Sequence, residues 1–114
     1  MKTLFIDIDG TLFEHKGTFS NIALTESTLL PNAREKMDEW CSKEYRIILT
    51  TARRESLRNR TESELQRLGI PYDCLVMGIS KGQRVLINDR RPSGDDTAFA
   101  INIDRDTGLG DIEV

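Results

Sequence analysis

Short, nearly continuous apolar runs alternate along the chain with segments whose apolar residues recur every three or four positions. The apolar runs predict strands covered on both faces, and the helical spacing predicts amphipathic helices between them. The predicted strands are residues 4–8, 46–49, 74–77, 84–87 and 98–103. The two predicted helices are marked by Ala33, Met37, Trp40 and Cys41 and by Leu57, Thr61, Leu65 and Leu68. Strands that alternate with helices predict parallel pairing through right-handed crossovers, and hence a three-layer α/β/α sandwich around a Rossmann-like parallel sheet.

Composition narrows the class of protein. The 114 residues, of which 31% are charged and 38% hydrophobic, predict a single soluble globular domain over residues 1–114. The formal charge of -3 lacks the basic excess of a general nucleic-acid or membrane-surface binder. No apolar run could cross a bilayer and residues 1–20 lack the plan of a signal peptide, so we expect a cytoplasmic protein with no membrane partner. Cys41 and Cys74 lie in apolar patterns and are expected to be buried free thiols.

Polar residues follow three of the predicted strands, at the point where each strand ends. They are Asp7, Asp9 and Gly10 at the end of the first strand, Thr50, Thr51 and Arg53 after the second, and Asn88 and Asp89 after the fourth. Because ligands of open parallel sheets bind beyond the carboxyl ends of the strands, we expect these groups to meet at one edge. Carboxylates gathered so closely repel one another unless a cation lies between them, and such oxygen ligands suit Mg²⁺. Asp7 and Asp9 would point the same way from an extended strand, and Gly10 allows a sharp turn after them.

The same residues resemble the signatures of the haloacid-dehalogenase superfamily. Residues 7–12, Asp-Ile-Asp-Gly-Thr-Leu after an apolar strand, resemble its first signature. Residues 47–53, an apolar strand followed by Thr-Ala-Arg, resemble its second signature, and residues 86–89 resemble its fourth. The fourth signature usually holds two acids, and here Asn88 stands in place of the first. The resemblance covers essentially the whole chain and implies that fold.

The resemblance also implies a magnesium-dependent phosphatase that hydrolyses a phosphate monoester. Asp7 would attack phosphorus and carry the phosphoryl group as an aspartyl-phosphate. Asp9 would protonate the leaving alkoxide and then deprotonate the attacking water. Asp7, Asp89 and the backbone carbonyl of Asp9 would hold Mg²⁺, and Thr51 would donate a hydrogen bond to the phosphoryl group.

The third signature of the superfamily is a lone Lys or Arg. Lys81 is the leading candidate for it and Arg84 is the alternative. The residue in that role would neutralise charge beside Asp7. Further contacts to substrate or phosphate are expected from Gly10, Thr50, Arg53, Arg84 and Asn88.

The spacing of the signatures leaves no room for a cap domain. Residues 13–30 provide only a short flap, and residues 53–81 hold one helix and one strand. Capless relatives in the superfamily tend to act on large substrates or to borrow a lid from a neighbouring subunit, so a homo-oligomer is compatible with the sequence. Likeness to small phosphatase domains of sugar-phosphate metabolism makes a sugar phosphate the leading substrate, and the alternative is a terminal phosphate on a nucleotide or polynucleotide. A further alternative, motivated by Asn88 and by the open assignment of Lys81, is a non-catalytic binding module with the same fold.

Overall fold

Three short parallel strands form the centre of the molecule. The computed structural model describes all residues from Met1 to Val114. In chain order the elements are β1 Thr3–Asp7, α1 Phe19–Leu24, α2 Ala33–Ser42, β2 Arg46–Thr50, a 3₁₀ turn Glu55–Leu57, α3 Arg58–Arg67 and β3 Cys74–Val76. The strand order is β1-β2-β3, and both pairings are parallel. The predicted α/β class with a Rossmann-like parallel sheet is therefore confirmed.

One face of this sheet carries the core. Leu49 of β2 and Leu75 of β3 are neighbours on that face, and they pack in one apolar cluster with Met37 of α2 and Leu65 of α3. Helix α2 connects β1 to β2 and helix α3 connects β2 to β3, so both connections run in the same direction across the sheet. Right-handed connections in one direction place both helices on the same side of a sheet. The opposite face is exposed to solvent at Phe5, which is 57% exposed. Of the predicted layers, the structure shows the sheet and the layer formed by α2 and α3.

The register of the strands aligns their carboxyl ends at one edge of the sheet. Asp7 at the end of β1 pairs with Thr50 at the end of β2, and Thr50 pairs in turn with Val76 of β3. The segments that follow β1 and β2 therefore leave the sheet side by side. Residues 13–30 form a flap above this edge, whose two ends are joined by the backbone bonds of Glu14 to Thr28 and of Leu30 to Leu12.

The predicted strands at residues 84–87 and 98–103 are not formed, so the sheet has three strands rather than five. Polar groups between them bond to one another in a local turn instead. The amide of Arg91 donates to the carbonyl of Asp95, and the side chain of Arg90 donates to Asp96 at 2.8 Å. The flanking apolar residues find no strand edge to pair with, and Ile87 and Phe99 remain 89% and 75% exposed. The sequence pattern identified apolar, strand-like segments but not their pairing, which depends on a partner elsewhere in the chain.

Two expectations from composition can be compared with the fold. Cys41 and Cys74 are free thiols as predicted, but both are exposed, so their predicted burial is wrong. On α2 it is Trp40, not Cys41, that turns into the core, and adjacent helical residues point about 100° apart. Cys74 is exposed at the start of β3. None of the helices has both the length and the apolar character needed to span a bilayer.

Candidate functional site

A cleft of about 310 Å³ opens at the carboxyl edge of the sheet, under the flap. Its floor comes from the segments that follow β1 and β2, and its rim comes from the flap and from the chain beyond β3. Only three of its 14 lining residues are hydrophobic. The charged lining residues are Asp7, Asp9, Lys16, Arg53, Lys81, Arg84 and Arg105. The cleft thus joins two acids to a larger number of cations.

Asp7 presents a partly exposed carboxylate to this cleft. Its side chain is 43% exposed, Thr11 Oγ1 donates to Asp7 Oδ2 at 3.2 Å, and Arg84 Nη2 lies 3.9 Å from Asp7 Oδ1. Burial raises the pKa of Asp7, and the Thr11 hydrogen bond and the Arg84 charge only partly oppose this. A carboxylate with a raised pKa is a stronger base and, in its ionised form, a stronger nucleophile.

The turn after β1 carries Asp9 to the same place. The amides of Thr11, Leu12 and Phe13 all donate to the carbonyl of Ile8, so the chain wraps tightly around that oxygen. Gly10 permits this turn because it adopts a φ of 92°, a region that favours glycine. A Cβ at Gly10 would lie 3.2 Å from the side chain of Arg105. Gly10 therefore serves the turn, and it is absent from the residues that line the cleft.

Asp9 is held by the side chain of Arg53. Arg53 Nε donates to Asp9 Oδ2 and Arg53 Nη2 donates to Asp9 Oδ1, both at 2.8 Å. Two parallel bonds of this kind fix a carboxylate in one plane. Arg53 was predicted to contact substrate or phosphate, but its side chain is fully buried behind Asp9.

Thr51 lines the cleft and Thr50 does not. The amide of Arg53 donates to Thr51 Oγ1 at 3.0 Å, and the amide of Thr51 donates to the carbonyl of Val76. Because the hydroxyl oxygen of Thr51 accepts the Arg53 amide, its proton is available for another acceptor. Thr50 is the last residue of β2 and is not among the residues that line the cleft.

The two candidates for the third signature both line the cleft, in different ways. Arg84 is the one near Asp7, at 3.9 Å. Lys81 Nζ instead lies 4.4 Å from the centre of the Phe19 ring, and the guanidinium of Arg54 lies 5.2 Å from the same ring. Phe19 belongs to α1 in the flap. These cation–π contacts therefore join the flap to Arg54 and Lys81.

Asn88 and Asp89 lie outside the cleft. Both are exposed, and the carbonyl of Asp89 accepts a hydrogen bond from Thr97 within the local turn. No group of three or more His, Cys, Asp or Glu side chains is arranged to hold a metal ion. The structure therefore does not bring Asp89 to Asp7 and Asp9, because the strand expected to carry Asp89 there is not formed. The residues present therefore do not fit the predicted magnesium site of Asp7, Asp89 and the backbone carbonyl of Asp9.

Sequence reasoning missed three residues behind Asp9. Ser27, Thr61 and Glu64 all bond to the buried guanidinium of Arg53. Thr61 was assigned to the core face of a helix without a polar role. Glu64 stands three positions after Thr61 and therefore on the same helical face, and a buried acid at that position needs a buried cation. That spacing was the available signal for Glu64, whereas nothing local marked Ser27.

Several solved structures resemble this chain in fold. No protein-family profile and no curated protein matches the chain. Among solved structures, two chains from a Pnkp1/Rnl/Hen1 complex, in one case described as an RNA repair complex, match with TM-scores of 0.60 and 0.59 at 24% and 25% identity. The matches cover 74% and 73% of this chain, which spans only 30% and 27% of theirs. A structural-genomics target from Vibrio cholerae matches with a TM-score of 0.53 at 20% identity, over 82% of this chain and 85% of its own.

The fold is that of a Rossmann-like α/β core. A heptose bisphosphate phosphatase from B. bronchiseptica, solved with magnesium and phosphate, also matches. Its TM-score is 0.48 at 16% identity, over 68% of this chain and 49% of its own, which is too distant to bear on function. The matches to the Pnkp1/Rnl/Hen1 chains and to the Vibrio cholerae protein agree with this fold.

Proposed function

We propose that this chain is a phosphatase of the haloacid-dehalogenase type, which hydrolyses a phosphate monoester through an aspartyl-phosphate on Asp7. The observation that carries the proposal is the pair Asp7 and Asp9, which share one cleft with Thr51. The same cleft has a cationic rim formed by Lys16, Lys81, Arg84 and Arg105. Asp7 ends the first strand, Asp9 follows it and Thr51 follows the second strand, in agreement with the sequence signatures. The parallel α/β fold supports the same assignment.

The chain's own groups account for both chemical steps. In the first, an oxygen of Asp7 attacks phosphorus, the bond to the leaving oxygen breaks, and Asp9 gives that oxygen a proton. In the second, Asp9 takes a proton from water as the water attacks phosphorus. The bond between phosphorus and Asp7 then breaks, which releases phosphate and restores the carboxylate. Each step passes one proton through Asp9, so the enzyme returns to its starting state.

The cationic rim would stabilise the charge of the substrate. A phosphate monoester approaches the carboxylate of Asp7, and that repulsion has to be offset for attack to occur. Lys16, Lys81, Arg84 and Arg105 line the cleft and supply positive charge around it. Thr51 has a hydroxyl proton to donate to a phosphoryl oxygen. Arg84 fits the role of the third-signature cation better than Lys81, because it is the one beside Asp7.

Magnesium is proposed as a cofactor on the sequence resemblance alone. Asp7 and the backbone carbonyl of Asp9 offer two oxygen ligands, and Asp89, proposed as the third, lies outside the cleft. The position of Asp89 outside the cleft is also compatible with the alternative hypothesis of a non-catalytic binding module. Activity with and without added Mg²⁺ distinguishes a magnesium enzyme from a phosphatase that depends on its cations alone.

A nucleotide or polynucleotide phosphate is favoured as substrate by one observation. Phe19 lies at the cleft with Arg54 and Lys81 against its ring. An aromatic side chain among cations suits a base next to a phosphate, since bases stack on such rings while cations follow the backbone. The likeness to chains of an RNA repair complex points the same way. The sugar phosphate expected from sequence likeness gains no specific contact in the cleft and becomes the second candidate.

A panel of phosphate esters tests the proposal. It would contain an aryl phosphate, sugar phosphates, nucleoside monophosphates and phosphate-terminated oligonucleotides, each with and without Mg²⁺. Turnover by the wild type should disappear in Asp7→Asn and persist in Asp38→Asn, a matched change at an exposed position of α2. Absence of turnover across the panel would instead favour the non-catalytic module.

A further inference from the structure

Arg53 is the largest fully buried side chain of the protein. A buried guanidinium is costly unless every donor and its charge are matched. The five N–H groups of Arg53 are matched by five hydrogen bonds, which leaves no donor for a phosphate. Its burial and its bonding therefore exclude direct contact with substrate.

Four of the five bonds of Arg53 divide into two sets. On the cleft side, Nε and Nη2 hold both oxygens of Asp9. On the inner side, Nη1 donates to Thr61 Oγ1 at 3.0 Å and to Glu64 Oε1 at 3.2 Å. Thr61 and Glu64 belong to α3, a helix packed in the core, so the guanidinium is itself held in place from behind.

The flap is tied to the same group. Arg53 Nη2 also donates to Ser27 Oγ at 3.3 Å, and the amide of Ser27 donates to Glu64 Oε2 at 2.8 Å. The ring of Phe13, at the base of the flap, lies 5.6 Å from the guanidinium. Glu64 and Arg53 thus connect the flap, helix α3 and Asp9 through buried and partly buried hydrogen bonds.

We infer that Arg53, backed by Glu64, is a positioning residue that fixes the orientation of Asp9 toward the leaving group. The inference rests on the proposed phosphatase activity and on the role of Asp9 in it. Correct placement of an acid–base group is worth a great deal, since a displacement of about 1 Å costs on the order of 100-fold in rate. A lysine at position 53 keeps the charge but cannot hold both carboxylate oxygens in one plane.

The test compares two substrates that differ in their need for a proton. An alkyl phosphate requires protonation of its leaving oxygen, whereas a dinitrophenyl phosphate leaves readily without it. The quantity measured is kcat/KM, which reports the steps up to phosphoryl transfer. Arg53→Lys should lower it roughly 100-fold for the alkyl phosphate and less than about 10-fold for the dinitrophenyl phosphate. Asp9→Asn removes the acid–base group itself, so it should give the largest difference in the loss of kcat/KM between the two substrates.

Two further variants guard against misfolding. Glu64→Gln removes the charge behind Arg53 and should show the same preference for the dinitrophenyl substrate, to a smaller extent, and it decides the case if Arg53→Lys does not fold. Arg58→Lys makes the same change on an arginine of α3 whose carboxylate partners, Glu55 and Glu62, lie outside the cleft, and it should affect neither substrate.

The outcomes separate the inference from the proposed function. Equal losses for both substrates in Arg53→Lys and in Glu64→Gln, while Asp9→Asn discriminates between them, would overturn the positioning role alone. A wild type that hydrolyses neither substrate would overturn the proposed function, and the positioning role with it.

Discussion

Replacing Arg53 with methionine would remove a buried cation and leave its two acidic partners in place. The side chains of Glu64 and Asp9 are only 6% and 15% exposed, so neither can regain full hydration in the fold. Removal of one partner from a buried ion pair typically costs about 3–5 kcal/mol. Because the free energy of unfolding of a small domain is about 5–15 kcal/mol, a loss of that size is a large fraction of the total.

Urea unfolding followed by tryptophan fluorescence measures this loss. Trp40 is the only tryptophan in the chain, and it is 3% exposed in the core, so its emission reports unfolding. With an m-value of about 2 kcal/mol/M, a loss of about 3–5 kcal/mol lowers the midpoint by roughly 1.5–2.5 M urea. Arg58→Met is the control, because Arg58 also bonds to two carboxylates but lies at the surface, where such pairs contribute little.

A double-mutant cycle completes this experiment. If Arg53 and Glu64 act as one buried unit, the losses in Arg53→Met and Glu64→Gln should not add in the double variant. The reasoning is refuted if Arg53→Met shifts the midpoint no further than Arg58→Met does. It is equally refuted if the two losses add fully, since the ion pair would then contribute nothing as a pair.

Two other properties follow from the same structure. Burial raises the pKa of Glu64, but its hydrogen bonds to Ser27 and the charge of Arg53 outweigh this and hold the pKa below 4.5. The ionised form is therefore favoured by folding, and its contribution to stability is present above about pH 4.5 and lost as the pH falls through the lowered value. Urea midpoints measured from pH 6 to pH 3 should fall less in Glu64→Gln than in the wild type, and parallel curves would contradict this. Amide hydrogen exchange should be fast at residues 84–87 and 98–103, which have no strand pairing, and slow at residues 47–49 of β2; equal protection would mean that the outer segments are paired.

The central strands and the main cleft residues were predictable because local signals define them. Buried strands appear as continuous apolar runs, and parallel pairing levels their ends, as the register of Asp7 with Thr50 illustrates. The polar residues that follow the strands must then lie close together. This reasoning needs no knowledge of side-chain contacts, and it was enough to bring Asp7, Asp9 and Thr51 into one cleft.

The role of Arg53 was not predictable in the same way. Its position two residues after Thr51 suggested contact with phosphate, but its partners lie 44 residues before it and 11 residues after it, at Asp9 and Glu64. Whether the side chain of Arg53 points into the core or toward the cleft depends on those distant partners. The segment at residues 84–87 illustrates the same limit, since an apolar run predicts a strand but not the edge with which it pairs.

Trapping of the phosphoenzyme is the most direct measurement of the proposed chemistry. Borohydride added to acid-quenched enzyme during turnover reduces an acyl phosphate on aspartate to homoserine, which mass spectrometry locates within the peptide that carries residues 3–14. We predict homoserine at position 7 in the wild type and none in Asp7→Asn. Release of phosphate with Asp7 unmodified throughout turnover, or modification of another residue in its place, would contradict the assignment of Asp7 as the nucleophile.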